Sequence, residues 1–188
     1  MRQLPREERM IYRFRIEDPG VIVEFSQSVL AHFNRNAQSS PNSPEAGGQL
    51  FAQITEDGNH WFVSSATGPR PNDKRSRFFF KPNRRSEQRE IHAEFEKGNH
   101  YVGDWHTHPQ QSPQPSARDI SSMAEMVQKS THQLPGFLMV IVGTKAPPEG
   151  LWISMHSSRK ITYPLPLSSV ADPTQLLTQN DPPSSGER

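Results

Sequence analysis

The sequence contains no cysteine. This absence excludes a disulfide framework, a zinc site with thiolate ligands and a thiol protease mechanism. No stretch approaches the roughly 20 consecutive apolar residues that a membrane helix needs. The first ten residues, MRQLPREERM, are charged and lack the apolar core of a signal peptide. We therefore expect a cytoplasmic protein with no membrane partner.

A strong net charge is missing as well. Lys and Arg number 21, Asp and Glu number 20, and the formal net charge is +1. No global field therefore attracts nucleic acid or a membrane surface, and any electrostatic preference must be local.

The length and composition are typical of one domain with a sizeable core. Of the 188 residues, 32% are hydrophobic and 18 are proline, which predicts long polar loops around a compact core. After Pro166 the chain is rich in Ser, Pro, Gln and Asp. We predict a domain over residues 1–166 and a disordered C-terminal tail over residues 167–188.

Alternating and continuous apolar patterns predict about seven strands. Apolar and polar residues alternate over residues 10–16, and residues 48–55 and 61–65 form a hairpin across the turn Asp57-Gly58. Residues 137–142 are apolar throughout, which indicates a strand buried on both faces. Further strands are predicted over residues 100–105, 151–155 and 161–165.

Helical spacing of apolar residues predicts three helices. They cover residues 26–36, residues 86–97 and a segment that begins at Ser116. In the second helix, Ile91 and Phe95 lie four residues apart and are expected on its buried side. Strands and helices in this order indicate a mixed α/β fold.

The segment HTHPQQSPQPSARD, residues 106–119, carries the strongest chemical signal. On a strand, residues i and i+2 project to the same side, so His106 and His108 direct two imidazoles towards one point. Pro109 ends the strand, and the next helix begins near Ser116, which places Asp119 in its first turn. These three side chains are suitable zinc ligands, and three protein ligands leave a fourth position open, as in catalytic zinc sites.

Each part of this pattern has a simpler explanation. A His-x-His pair alone is common and usually carries no function. Ser116 and Asp119 have the spacing of a helix capping box. Asp104 lies on the same strand face as both histidines and competes with Asp119 as the third ligand. His100 shares this face but lies too far along the strand.

The joint pattern of H-x-H-P followed by S-x-x-D resembles the signature of the JAMM (JAB/MPN-type) metallopeptidases. The upstream residues Glu45-Ala46-Gly47-Gly48 resemble the Glu-x-Gly-Gly segment of that family, and the resemblance extends from Glu45 to about Thr144. It implies a single JAB/MPN-type domain with a curved central sheet flanked by about three helices. It also implies one Zn²⁺ per chain, held by His106, His108 and Asp119.

The same resemblance implies roles for two more residues. Glu45 corresponds to the general acid/base, and Ser116 to the serine whose hydroxyl stabilises the tetrahedral oxyanion. Without the resemblance, Glu45 would be interpreted as a solvated loop residue and Ser116 as a plain helix N-cap.

The segments TGPRPNDKRSRFFF and GDWHTHP are most similar to a bacterial branch of this family. That branch includes deconjugases found in antiphage islands beside ubiquitin-activating-like and conjugating-like enzymes and a cGAS-like nucleotidyltransferase. The resemblance implies hydrolysis of the amide that joins the C-terminus of such a nucleotidyltransferase to a target amine. Two alternatives stay open: a peptidase that processes a ubiquitin-like or sulfur-carrier precursor, and a non-catalytic MPN scaffold.

A local run of basic residues surrounds three phenylalanines at positions 78–80. Cations interleaved with aromatic rings suit a single-stranded nucleic acid, but the near-neutral net charge argues against that partner. We expect ordinary strand packing for the phenylalanines and, for the run, either a docking surface for the substrate protein or a simple loop. The run consists of Arg70, Lys74, Arg75, Arg77, Lys81, Arg84, Arg85 and Arg89.

Overall fold

The computed structural model describes residues 12–166 and contains three helices and eleven strands in that range. The helices are α1 (Gln27–Asn36), α2 (Arg84–Glu96) and α3 (Ala117–Lys129). The strands are β1 (Tyr12–Ile16), β2 (Val21–Phe25), β3 (Gly47–Ile54), β4 (His60–Ala66), β5 (Lys74–Ser76), β6 (Phe79–Lys81), β7 (His100–Thr107), β8 (Phe137–Val142), β9 (Leu151–His156), β10 (Ile161–Thr162) and β11 (Leu165–Pro166). The predicted mixed α/β fold with three helices and a curved central sheet is confirmed.

Nine strands form one sheet in the order β10-β9-β8-β7-β3-β4-β2-β1-β11. The pairs β2–β4 and β7–β8 are parallel, and the other neighbours are antiparallel. Strand β7, which carries the histidine motif, therefore lies inside the sheet between β3 and β8. A strand paired on both sides has a fixed register, so its end is a rigid place for functional side chains.

The sheet curls until its two ends come near each other. The predicted strand over residues 161–165 is two short strands, of which β10 pairs with β9 at one end of the sheet and β11 pairs with β1 at the other. Only Tyr163 and Pro164 separate them. Because three residue steps span at most about 11 Å, the two ends of the sheet are neighbours in space.

The two faces of the sheet are covered by different helices. Helix α1 begins at its N-cap Ser26 and buries Val29, Leu30 and Phe33 in the main core, which includes Trp61 and Trp105. On the other face, α3 packs against β8 in a second cluster of buried residues, which consists of Met123, Val127, Phe137, Met139 and Ile141. All six residues of β8 are buried, as its continuous apolar sequence predicted. Each large side chain buried in this way contributes roughly 1.5–3 kcal/mol to folding.

The prediction that Ile91 and Phe95 lie on the buried side of α2 is wrong. Phe95 is 64% exposed, and Ile91 is only half-buried. The helix instead buries Ser86, Glu87 and Glu94. It packs through polar groups because Glu87 faces Arg70 and Arg84, while Glu94 accepts hydrogen bonds from Lys97 and Asn99.

The phenylalanine segment is only partly in a strand. Phe79 and Phe80 belong to β6, which pairs with β5 in a separate two-stranded sheet, hereafter the β5–β6 hairpin. Phe78 lies at its turn and is 73% exposed, so the expected strand packing is wrong for this residue. The predicted tail over residues 167–188 and residues 10 and 11 of the predicted first strand lie outside the described residues. No helix in the described range is long and apolar enough to cross a membrane.

Candidate metal centre

The end of β7 holds His106 and His108 in place. His106 pairs with Gly47 of β3 on one side and with Ile141 of β8 on the other. His108 follows the strand, and its backbone N–H donates to the carbonyl of Val142 at 2.9 Å. The two rings have centroids 4.9 Å apart, so both imidazoles face the same side as the i, i+2 spacing predicted.

Asp119 reaches this place from the first turn of α3. Ser116 is the helix N-cap, and the two residues form a capping box. The Ser116 backbone N–H donates to Asp119 Oδ2 at 2.7 Å, and Ser116 Oγ accepts from the Asp119 N–H at 3.2 Å. The capping box therefore orients the carboxylate, whose Oδ1 faces His106 and whose Oδ2 faces His108.

The three side chains have the spacing of a metal site. One ligand atom from each lies within 4.8 Å of the others, and both histidine Nε2 atoms are 3.4 Å from the carboxylate. Two ligands about 2.0–2.1 Å from a tetrahedral zinc ion are about 3.4 Å apart. Within the described residues, His106 Nε2 is buried and makes no hydrogen bond. The donor set and its spacing therefore fit zinc.

The electrostatics also suit a cation. Burial alone would raise the pKa of Asp119, but the two facing imidazoles outweigh it and hold that pKa well below its usual range. Burial alone would lower the pKa of His108, and the carboxylate of Asp119 raises it instead. The carboxylate is thus ionised at neutral pH, as a metal ligand must be.

Glu45 lies beside this cluster, at the entry to β3. Ala46 and Thr107 exchange two hydrogen bonds, from Ala46 N–H to Thr107 Oγ1 at 2.9 Å and from Thr107 N–H to the Ala46 carbonyl at 2.8 Å. Continuing this register by one residue places Glu45 opposite His108. Burial raises the pKa of the Glu45 carboxyl, and the charges of His106 and His108 oppose this only in part.

Residues 26–155 match the family described as prokaryotic homologs of the JAB domain. The chain belongs to this family. The match includes Glu45, Ser116 and the three residues of the candidate metal site, and it confirms the resemblance deduced from the sequence motifs.

Three curated relatives of this JAB protein carry the name CD-NTase/cGAS isopeptidase. The relative from Pseudomonas aeruginosa is 32% identical over 133 residues, which cover 69% of this chain and 82% of that protein. The relative from Enterobacter hormaechei is 33% identical over 99 residues, or 53% of this chain and 55% of that protein. The relative from Escherichia coli is 28% identical over 141 residues, or 73% and 84% of the two chains.

Two glycines of the JAB domain allow the backbone segments around Glu45 to approach closely. A Cβ at Gly48 would lie 1.8 Å from the Thr67 carbonyl oxygen, which is a direct clash. A Cβ at Gly47 would lie 2.7 Å from the ring of Phe80 and 2.8 Å from the Trp105 carbonyl oxygen. The two glycines of the Glu-x-Gly-Gly segment are therefore needed to pack β3 against the β5–β6 hairpin and the end of β4.

Asp104, the competing carboxylate, is not part of the metal cluster. Its Oδ1 accepts a hydrogen bond from the Tyr101 hydroxyl at 2.8 Å. Burial and the neighbouring charge of Glu87 raise the pKa of Asp104 to about 6. A bulge in β7, at which Val102 has no partner in β3, puts Tyr101 rather than His100 on the face of Asp104. The bulge was not visible in the sequence. Trp105 is buried in the core.

The basic run does not form a uniform positive surface on the JAB domain. Arg70 is almost buried and is paired with Glu90, Asp73 and Glu87, and Arg84 is paired with Glu87. Arg75 is bound to backbone carbonyls beside the cluster. On the β5–β6 hairpin, Lys74 and Lys81 are exposed and lie opposite each other in the strand register, and Arg75 is exposed as well.

Two arginines near the site had not been predicted to belong to it. Arg75 Nε donates to the Glu45 carbonyl at 2.7 Å. Arg118, in the first turn of α3, lies 5.5 Å from the ring centre of Phe79, and its charge acts on the Glu45 carboxyl. No local sequence signal identifies Arg75, because it is 30 residues from Glu45 along the chain.

Proposed function

We propose that this JAB protein is a zinc-dependent isopeptidase. One Zn²⁺ per chain is held by His106, His108 and Asp119, and Glu45 serves as the general acid/base. The observation that carries the proposal is the convergence of the three ligand atoms beside Glu45. The names of the curated relatives support the same class of reaction.

When bound, zinc supplies a Lewis acid that polarises the scissile carbonyl and lowers the pKa of water towards about 7. Glu45 takes the proton from the attacking water and delivers it to the departing amine, which leaves poorly unless it is protonated. The position of the Glu45 carboxyl suits this role, because it lies beside the point at which the three ligand atoms converge.

Ser116 stabilises the oxyanion in this proposal. Its Oγ accepts the capping hydrogen bond from Asp119 N–H, and this leaves the hydroxyl proton available for donation. The residue is exposed at the start of α3, so a substrate carbonyl has access to it. Donors aimed at the developing oxyanion typically provide a large part of the catalysis in acyl transfer.

The proposed substrate is a protein conjugate. The relatives' names point to a CD-NTase or cGAS-like protein as the substrate. The scissile bond in this proposal is the amide between the C-terminal carboxyl of such a nucleotidyltransferase and an amine of a target protein, as the family resemblance implies. The enzyme hydrolyses this amide and releases the nucleotidyltransferase, as a deconjugation step in antiphage defence. Recognition is centred on an extended C-terminal tail, because a site beside a strand end can hold such a tail by main-chain pairing.

The test uses a CD-NTase whose C-terminus is joined by an amide to a reporter protein. Purified full-length chain loaded with zinc is expected to cleave this conjugate, and a chelator is expected to stop cleavage until zinc is restored. Glu45→Gln should keep zinc and fold but lose about 100- to 10,000-fold in kcat, because general acid/base catalysis is worth that much. The control is Glu56→Gln, at an exposed residue in the β3–β4 turn.

Cleavage by metal-free protein would contradict the zinc mechanism. Glu45→Gln activity within a few-fold of wild type would show that another carboxylate is the base. A zinc-loaded wild-type chain that cleaves neither the conjugate nor a linear fusion would favour a scaffold instead.

A further inference from the structure

The β5–β6 hairpin contacts the backbone of Glu45 from the side opposite β7. The Glu45 N–H donates to the Ser76 carbonyl at 2.8 Å. In the opposite direction, Arg75 Nε donates to the Glu45 carbonyl at 2.7 Å, and Arg75 Nη2 donates to the Pro44 carbonyl at 3.4 Å. The guanidinium of Arg75 thus binds two consecutive carbonyls with two of its nitrogens.

The backbone on the two sides of Glu45 is held very differently. On the C-terminal side, the hydrogen bonds between Ala46 and Thr107 join the chain to β7. On the N-terminal side, Pro44 has no N–H to donate, so Pro44 offers only its carbonyl for hydrogen bonding. That carbonyl and the Glu45 carbonyl are the two groups that Arg75 binds. The orientation of the Glu45 peptide therefore depends on the hairpin.

The hairpin itself is fixed at its base. Asp73 Oδ2 accepts from the Arg70 N–H at 2.6 Å, and Asp73 Oδ1 accepts from the Asn83 N–H at 2.7 Å. One carboxylate thus joins the two ends of the segment that carries Arg75. Phe80 packs against Gly47, and Phe79 lies under Arg118, so the hairpin also contacts β3 and α3.

We propose that Arg75 is a positioning residue that orients Glu45 for proton transfer through its backbone. The inference rests on the proposed role of Glu45 as general acid/base. Charge-assisted hydrogen bonds from a guanidinium are stronger and more directional than neutral ones, which suits this task. A displacement of about 1 Å in a catalytic group costs on the order of 100-fold in rate.

This role differs from docking of the substrate by the basic run. A docking residue binds substrate and transition state equally, so its loss raises KM and leaves kcat unchanged. A residue that orients Glu45 acts only on the chemical step, so its loss lowers kcat and leaves KM within about two-fold.

The experiment compares Arg75→Ala and Arg75→Lys in the zinc-loaded full chain, with the CD-NTase–reporter conjugate as substrate. We expect Arg75→Ala to lower kcat by about 10- to 100-fold without changing zinc content. Arg75→Lys should recover part of the loss, because one ammonium can still reach the Glu45 carbonyl. Arg159→Ala is the matched control: an exposed arginine in the β9–β10 turn, at the opposite end of the strands from the metal centre.

A second measurement follows the backbone and does not depend on turnover. Amide hydrogen exchange at Glu45 reports its bond to the Ser76 carbonyl, and we expect it to accelerate on the order of ten-fold in Arg75→Ala. An unchanged kcat, with or without a higher KM, overturns the inference. So does a lower kcat with unchanged exchange at Glu45. Turnover by Glu45→Gln would instead contradict the proposed function, so the two failures are distinguishable.

Discussion

Ser116 caps helix α3 and, in the proposed mechanism, also takes part in catalysis. Its backbone N–H and its Oγ complete the capping box with Asp119, and this fixes which carboxylate oxygen faces each histidine. In the proposed mechanism, its hydroxyl proton also stabilises the oxyanion. A residue of this kind affects stability through the cap and rate through the hydroxyl, and one substitution can measure both.

Ser116→Ala is expected to lower kcat on the order of 100-fold, less than Glu45→Gln, because one oxyanion donor among several is lost. Loss of the cap should cost about 1 kcal/mol of stability. Zinc content should persist, since the Ser116 backbone N–H still orients Asp119. Kinetics, melting temperature and metal content check this.

The control for Ser116→Ala is Ser121→Ala, an exposed serine in the next turn of α3. An unchanged kcat in Ser116→Ala would leave Ser116 as a helix cap only.

The segment that joins β4 to α2 is held against this helix by ion pairs instead of apolar contacts. Arg70 has a side chain only 8% exposed, and its guanidinium faces Glu90, Asp73 and Glu87. Its Nε donates to Glu90 Oε1 at 2.6 Å, and its Nη2 donates to Thr67 at 3.2 Å. These bonds explain why α2 turns carboxylates inward and leaves Phe95 outside. The ion pairs of Arg70 also fix the position of the β5–β6 hairpin, because Asp73 belongs to the base of this hairpin.

Arg70→Met should destabilise the domain by about 3 kcal/mol, because removal of one partner leaves buried carboxylates without a counter-charge. Melting temperature and urea unfolding measure this loss. Arg85→Met is the control, since Arg85 is an exposed arginine on α2, the helix to which Arg70 is paired. Equal stability of the two variants would mean that water or neighbouring cations replace Arg70.

The curl of the sheet determines how far the chain can be truncated from its C-terminal end without loss of stability. Strand β11 pairs Leu165 and Pro166 with Arg15 and Phe14, so the last described residues still belong to the sheet. The residues beyond them are rich in Ser, Pro, Gln and Asp, a composition from which we predict little packing on the domain.

Deletion of residues 167–188 should leave melting temperature and turnover near those of the full chain. Deletion from Pro164 onwards also removes β11 and should lower the melting temperature by several degrees, since it exposes the edge of β1. A large loss of stability in the shorter deletion alone would show that the tail packs on the domain.

A folded partner protein can contact the surface of the JAB domain outside the metal site as well as the site itself. We expect a folded conjugate to have a lower KM than a short peptide copied from its junction, because a partner surface adds contacts beyond the tail. Charge reversal by substitution of Lys74 and Lys81 with Glu should raise KM without lowering kcat. These residues are chosen because they are exposed, whereas Arg75 is bound to Glu45.

Arg159→Glu, in the β9–β10 turn at the far end of the strands, is the control for the charge reversal. Equal rates on the folded conjugate and on the peptide would refute docking and leave the zinc mechanism unaffected.

Local interactions made much of the site predictable from the sequence. The end of β7 shortly before Pro109, the i, i+2 spacing of His106 and His108, and the capping box of Ser116 and Asp119 each depend on residues close together in the chain. The buried strand β8 followed from its apolar run alone. The family resemblance supplied Glu45, which composition and spacing could not have distinguished from a solvated loop residue.

Only the tertiary structure decided the rest, because contacts between distant residues control it. The bulge at Val102 depends on pairing with β3 and turns Asp104 towards Tyr101. The polar face of α2 depends on Arg70, and the contact between Arg75 and Glu45 joins residues 30 positions apart. The basic run is thus only partly neutralised in space: carboxylates pair with Arg70 and Arg84 and backbone carbonyls bind Arg75, whereas its other five cations form no ion pair within residues 12–166.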